Sequence, residues 1–189
     1  MTLSTPPRRI ALVGPVASGK STLAAAVAAH TGLPHLGLDT LFWGPDWTPV
    51  AAGEFHARVR NALAAGKWIA DGNFGGQAGE MLLARAELVI WLDLPLRVCL
   101  PRLLARSLRR AATGQELFAG NRETFRHLLA RDSILWWGPA HHHRHRRRWA
   151  TALAQARAAG TPVVHLSRSP AIVPALSACG LLPARSEDM

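Results

Sequence analysis

The amino-acid sequence predicts an α/β fold built on a parallel sheet, and three observations carry that prediction. Short β-type apolar runs alternate with helical patterns along the 189-residue chain. The first run, Ile10-Ala11-Leu12-Val13, leads straight into Gly14-Pro15-Val16-Ala17-Ser18-Gly19-Lys20-Ser21. That is a complete G-x-x-x-x-G-K-S phosphate loop opening a helix. Finally, three predicted strand ends carry an aspartate (Asp39, Asp71 and Asp93) in a chain with only 12 acidic residues. The carboxyl ends of parallel strands are where such sheets gather their chemistry.

Each element has its own signal. Arg9–Val13 reads as the first strand and Lys20–Thr31 as the first helix, stopped by Gly32-Leu33-Pro34. His35–Leu38 is a short second strand ending in Asp39. Ala51–Ala65 is a helix closed by Gly66, and Trp68-Ile69-Ala70 a third strand followed by Asp71-Gly72-Asn73. Leu88–Leu92 is a fourth strand. Asp93 then reads as the N-cap, and Pro95 as the first position, of an arginine-rich helix over Leu96–Arg110. Thr113-Gly114-Gln115 breaks it. Arg122–Trp137 is helical, ended by Gly138-Pro139. The basic run His141–Arg148 reads as a solvated loop before a helix over Trp149–Ala159. Val163–Leu166 is the fifth strand, Ala171–Cys179 the last helix, and Pro183–Met189 a frayed tail.

Composition narrows the class. At 49% hydrophobic and 18% charged residues the chain is a folded globular one, of a length that suits a single domain over 1–189. Cys99 and Cys179 lie far apart in apolar surroundings, as reduced thiols in a cytoplasmic protein would. The first nine residues have no signal-peptide core, and no apolar run reaches the ~18 residues of a membrane span. No membrane partner is expected, and the chain suits a monomer or a homodimer. The formal charge of +10 comes almost wholly from arginine, much of it between Arg97 and Arg148. Such a stretch can hold the polyphosphate of a small molecule, or nucleic acid.

The loop is the sharpest signal. Of 22 basic residues only Lys20 and Lys67 are lysines, and one stands at the motif's key position. Backbone N–H groups from Gly14 through Thr22 form an anion cradle at a helix N-terminus. Lys20 reaches the β- and γ-phosphates, and the Ser21 hydroxyl ligates Mg²⁺. The expected cofactors are therefore ATP or GTP with Mg²⁺.

With these residues in place, the chain resembles the P-loop nucleoside-monophosphate kinases. More narrowly, it resembles the adenylate-kinase-related bacterial group labelled "DNA topology modulation protein". The matching stretches are the phosphate loop, His35 through Trp43, Trp68 through Phe74, Ala86 through Pro95, and Val163 through Pro170. The resemblance implies a three-layer fold whose five-stranded parallel sheet has the order 2-3-1-4-5, with helices on both faces. It also implies an acceptor-binding segment over 40–66 and a short lid over 111–121. Asp71 falls where such folds carry the acid that meets Mg²⁺. Asp39 falls where related kinases contact the acceptor or its metal, and could equally cap the turn after it. Arg102 and Arg106 match phosphate-holding arginines before the lid. Arg109 and Arg110 read better as a solvated basic face. One of Arg122, Arg126 and Arg131 is expected to reach the transferring charge, Arg122 being the first choice. Arg168 lies in the stretch that faces adenine in the family. Phe42 and Trp43, with Trp47, could line an acceptor pocket beside Gly72 and Asn73, or simply pack.

One departure matters. Adenylate kinases carry an arginine directly after the Asp-Gly turn, whereas this chain has Asp71-Gly72-Asn73-Phe74; no arginine stands beside Asp39 either. Both clamps for an acceptor phosphate are missing, which disfavours AMP. The run His141-His142-His143-Arg144-His145 has no carboxylate or cysteine partner, so a solvated loop is favoured over a metal site. The expected activity is ATP-dependent phosphoryl transfer to a small acceptor, a nucleotide or another small molecule. The competing readings are an NTP-binding regulatory or nucleic-acid-associated protein using residues 97–148, and a plain NTPase.

Overall fold

A computed structural model describes residues 5–131 and 133–183. In these residues five parallel strands form one sheet: β1 (Arg9–Val13), β2 (His35–Gly37), β3 (Trp68–Asp71), β4 (Leu88–Leu92) and β5 (Val163–Leu166), in the order β2-β3-β1-β4-β5. Strands β1, β3 and β4 are buried on both faces, which is why they read as continuous apolar runs rather than alternating ones.

Alternation still sorts the side chains. Ile10, Leu12, Ile69, Ile90 and Leu92 pack on one face with Leu23, Ala24 and Val27 of α1 (Lys20–Thr31) and Leu176 of α8 (Ile172–Ala178). On the other face Ala11, Val13, Ala70, Val89 and Trp91 meet three helices: α3 (Ala52–Ala62) through Phe55 and Val59, α4 (Gly76–Arg85) through Ala78 and Leu82, and α7 (Ile134–Ala158) through Trp149 and Leu153. Three layers result. No described helix is long and apolar enough to cross a membrane.

Several boundaries differ from the sequence reading. The second strand ends at Gly37, and Asp39 lies in the first turn of α2 (Leu38–Phe42). Helix α4 was not anticipated, although Ala78 and Leu82 give it a buried i, i+4 pair. The arginine-rich helix α5 runs from Leu96 to Thr113 and ends on Gly114 at φ 60°, so the expected lid loses its first three residues to the helix. The expected helix over Arg122–Trp137 is interrupted: Thr124 caps the short α6 (Phe125–Leu129), and α7 starts at Ile134.

The His-rich run is not a loop but the middle of α7. Gly138, His142, His145, Trp149 and Leu153 form one buried stripe at helical spacing, and that burial outweighs the break expected at Gly138-Pro139. Gly138 serves close packing instead, since a Cβ there would sit 3.1 Å from Leu103 of α5. Asp93 is not a cap either; Pro95 holds that position and Asp93 pairs across the sheet end. The last helix starts one residue late, after a 3₁₀ turn over Ser169–Ala171. Of the expected frayed tail, residues 184–189 lie outside the described residues.

Candidate nucleotide and phosphoryl-transfer site

The phosphate loop is shaped by two glycines. Gly14 adopts φ 152°, and a Cβ there would run into the carbonyl oxygen of Leu92 on the adjacent strand. Gly19 adopts φ 95° and caps α1 without a side-chain hydrogen bond; no acidic residue occupies the first turn. The helix thus opens with its N–H dipoles unopposed, as an anion site requires. Ser18 is 1% exposed, and its Oγ has no partner among the described residues. Lys20 Nζ donates to the carbonyl of Pro15 at 2.8 Å, folding the side chain back over the loop. Burial lowers the Lys20 pKa, and the nearby carboxylates of Asp39 and Asp71 oppose that shift.

Asp71, at the end of β3 and 3% exposed, faces this helix start. The Ser21 hydroxyl donates to its Oδ2 at 2.5 Å, and His35 Nε2 lies 2.7 Å from its Oδ1. Asp39 comes from the first turn of α2. Its pKa is raised chiefly by burial and also by Asp71, while Lys20, Arg106 and Arg110 pull it down. Lys20, Asp39, Asp71 and Arg106 therefore share one electrostatic cluster.

The arginines divide differently from the sequence reading. Arg106 and Arg110 are partly buried one helical turn apart, and Arg110 donates to the buried Glu123 at 3.0 Å. Arg110 is thus not on a solvated face: its acid partner comes from beyond the helix. Burial, with Arg110 beside it, lowers the Arg106 pKa. Arg102 is exposed and donates to Ser169 Oγ at 3.0 Å, which brings it to the loop that carries Arg168. Arg109 is exposed. Arg122, Arg126 and Arg131 are exposed too, and Arg122 pairs with Glu116 at 3.7 Å.

Helix α7 supplies inward groups that the sequence reading placed in a loop. Arg146 grips both oxygens of Asp93, and His165 adds a bond to Oδ2 at 3.0 Å while stacking on Trp91. Burial raises the Asp93 pKa, but these two partners outweigh it and hold the carboxyl below its ordinary value. Asn73 is committed to α7. Its Oδ1 accepts from Trp149 Nε1 at 2.7 Å, and its Nδ2 donates to His145 Nδ1. The Trp149 bond fixes the amide orientation, so His145 Nδ1 is an acceptor and its ring is neutral. Burial, reinforced by Arg148 and other nearby cations, pushes the His145 pKa down to about 4. Arg148 donates to the carbonyl of Asn73 at 2.8 Å and packs over Gly75. Asn73 therefore serves as a tie, and Gly72 serves packing: a Cβ there would lie 2.9 Å from Leu38.

The segments expected to bind the acceptor and to form the lid are tied together. Asn121, 6% exposed, accepts from Trp47 N at 2.9 Å and donates to the carbonyls of Gly44 at 2.7 Å and Phe118 at 2.8 Å. Phe42 packs on Phe55 and Phe74 at ring separations of 5.1 and 5.0 Å, while Trp43 packs edge-on against Trp47 at 5.6 Å. Sequence reasoning passed over His35, Asn121, Arg146 and Arg148. Only His35 had a usable signal, since it precedes Gly37 by two residues on the strand beside Asp71.

No protein-family model matches the chain, and no curated protein matches it. Solved structures do align with it. A gluconokinase from Sinorhizobium meliloti 1021 is 20% identical over 53% of this chain and 66% of its own, with a TM-score of 0.41. A shikimate kinase from Aquifex aeolicus is 19% identical over 50% of this chain and 68% of its own, at 0.41. A sugar kinase from Janibacter sp. HTCC2649 is 16% identical over 95% of this chain and all of its own, at 0.45. The chain spans just under two thirds of the gluconokinase's length. These are distant likenesses, and what the site can do rests on its own geometry: a phosphate loop, a carboxylate–hydroxyl pair and a partly buried carboxyl at the carboxyl end of a five-stranded parallel sheet.

Proposed function

We propose that this chain transfers the terminal phosphoryl group of ATP or GTP, with Mg²⁺, to a hydroxyl of a small acceptor that is not a nucleoside monophosphate. The observation that carries the reading is the convergence of Lys20, the Ser21–Asp71 pair and Asp39 on the unopposed start of α1. A hydroxyl and a carboxylate 2.5 Å apart are the hard oxygen donors that suit Mg²⁺. Bound there, the ion would neutralise charge on the β- and γ-phosphate oxygens.

The chain's own groups divide the remaining work. The loop N–H groups and Lys20 hold the polyphosphate, and Lys20 exchanges its Pro15 carbonyl for phosphate oxygen. The acceptor oxygen attacks the γ-phosphorus as the bond from that phosphorus to the β,γ-bridging oxygen breaks. The hydroxyl proton passes to Asp39, whose pKa is already raised by burial. Arg106, beside Asp39, meets the charge that develops. Arg102 and Arg168, brought to one loop, are the adenine-side candidates. Phe42, Trp43 and Trp47 are the acceptor-side ones.

Asn73 stands where an acceptor-phosphate arginine is expected, and its side chain is taken up by α7. AMP should accordingly be a poor acceptor. A coupled assay with ATP, Mg²⁺ and a panel of hydroxyl acceptors, read by phosphorus NMR, tests this. Turnover of AMP in the usual kinase range of ~1–100 s⁻¹ would overturn the acceptor assignment.

A second reading is favoured by the outer surface of α5–α7. Arg109 of α5, Arg126 of α6 and Arg144 and Arg147 of α7 are exposed, and so are Phe125, Leu129 and Trp136. Such a surface suits a polyanion, with nucleotide binding as a regulatory signal. The arginine series described in the Discussion separates the two.

A further inference from the structure

We infer that His35 is a positioning residue: it fixes the orientation of the Asp71 carboxylate so that one defined oxygen is presented to Ser21 and to the divalent cation. The inference rests on the phosphoryl-transfer reading above and goes beyond it by assigning a role to a residue on the edge strand.

The geometry is direct. His35 Nε2 lies 2.7 Å from Asp71 Oδ1, while Ser21 Oγ donates to Oδ2 at 2.5 Å. Asp71 accepts through both oxygens, so the imidazole nitrogen facing it carries a proton and donates. The χ2 torsion of aspartate is broad and nearly two-fold, so a carboxylate held at one oxygen swings and exchanges its two faces. Donors on opposite oxygens remove that freedom. A metal-binding group tied in this way by an outer partner loses affinity or activity by about 10–100-fold when the partner is removed.

Local sequence makes the reach feasible. In the parallel register His35 pairs with Ile69 and Gly37 with Asp71, so the ring must run along the strand past position 37 to touch the carboxylate. Gly37 lies against the carboxylate, since a Cβ there would sit 3.7 Å from Asp71 Oδ1 and 3.6 Å from Thr40 Cγ2. The His35 side chain is 29% exposed on a three-residue edge strand, so it is not a core residue whose loss must unfold the protein. The polar contact it makes is to Asp71, which is why the role assigned is one of positioning.

The test uses the full chain with His35→Leu, which keeps bulk but removes the donor, and His35→Gln, whose amide N–H reaches the same position. Calorimetric titration of ATP is run with and without Mg²⁺, alongside thermal unfolding and turnover on whichever acceptor the NMR panel finds. In His35→Leu the Mg²⁺-dependent gain in ATP affinity should fall by about tenfold or more, with metal-free ATP affinity and Tm close to wild type. His35→Gln should restore most of the gain. The inference is overturned if His35→Leu keeps the full Mg²⁺ gain, or if His35→Gln is as impaired as His35→Leu while both remain folded. Should His35→Leu unfold, the comparison of His35→Gln with wild type decides: a lost gain in a folded Gln variant overturns it. Wild-type protein that binds no nucleotide at all would overturn the phosphoryl-transfer reading itself, which the wild-type titration reports separately.

Discussion

The two ends of the site are built by different means. At the phosphate end, position is set by backbone. Gly14 and Gly19 adopt φ values that favour glycine, the lysine docks on a carbonyl five residues away, and the helix start supplies donors. At the end proposed for acceptor and lid, position is set by side chains that reach far along the chain. Asn121 holds Gly44 and Trp47 across more than 70 residues, and Arg110 meets Glu123. The difference teaches that a binding end made of backbone leaves its mark in a short sequence motif. An end made of side-chain ties leaves almost none.

The largest expected effects fall on the backbone-built end. Lys20→Ala should remove most nucleotide binding, measured by calorimetry, because the burial that lowers its pKa comes with close contact to the loop. Asp71→Asn should leave metal-free nucleotide binding largely intact, lose the Mg²⁺-dependent gain in ATP affinity, and slow turnover by ~10²-fold or more. If Asp71→Asn turned over normally, the metal-facing role would move to another carboxylate and the contrast between the two ends would blur.

The arginine series sharpens the comparison next. Arg106→Ala should lower kcat by ~10-fold or more while changing ATP affinity less, since it meets charge that grows in the transition state. Arg102→Ala should act on the nucleotide side, raising the KM for ATP. Arg110→Ala should act with Arg106, because it leaves Glu123 buried without its partner. Arg109→Ala should do little. A loss of polyanion binding with a reduced salt slope in Arg109→Ala and Arg144→Ala, with turnover unchanged in Arg106→Ala, would instead select the second reading.

Breaking the latch is a subtler test. Asn121→Ala leaves the Gly44 carbonyl and the Trp47 N–H without their partner, at a cost of about 1–3 kcal/mol in stability. It should raise the acceptor KM while leaving nucleotide affinity near wild type. Equal damage to both affinities would mean that the lid end also shapes the phosphate end.

The smallest effect is on pH dependence. His145 is neutral in the folded chain with its pKa pushed down to about 4, against an ordinary 6.5. Between those values the unfolded chain binds a proton that the folded chain refuses. Stability should therefore decline as pH falls from about 6.5 toward 4, by at most about 1.4 kcal/mol per pH unit from this group. His142, lowered by burial, acts in the same direction. His145→Asn should flatten that slope in a chemical-denaturation series. An unchanged slope would place the titration elsewhere.

The sheet was legible because its strands are short apolar runs separated by helices, and the phosphate loop because its spacing is local. Asp71 was legible as a strand-end acid. Asp39 was legible as a residue but not as part of a helix, since Leu38–Phe42 is too short for periodicity to show. The run after Gly138-Pro139 was misread because punctuation residues were weighed above a buried stripe spaced at three and four. Here Gly138 permits close helix contact rather than ending a helix. Arg110 was misjudged because its acid partner lies thirteen residues away, beyond any helical i, i+4 search. Asn121 had no sequence signal at all.

Helix α7 has a consequence for how the protein comes into being. It fastens the loop after β3 through Asn73 and the loop after β4 through Asp93, bridging separations of 76 and 53 residues. Contacts of such span close late, because the intervening chain must first give up its freedom. During synthesis the whole G-x-x-x-x-G-K-S stretch leaves the ribosome more than a hundred residues before Trp149 and the ties around it. A nascent chain thus carries the recognisable motif while its flanking loops are still untethered, and the proposed nucleotide binding would become competent near the end of translation rather than when the motif emerges.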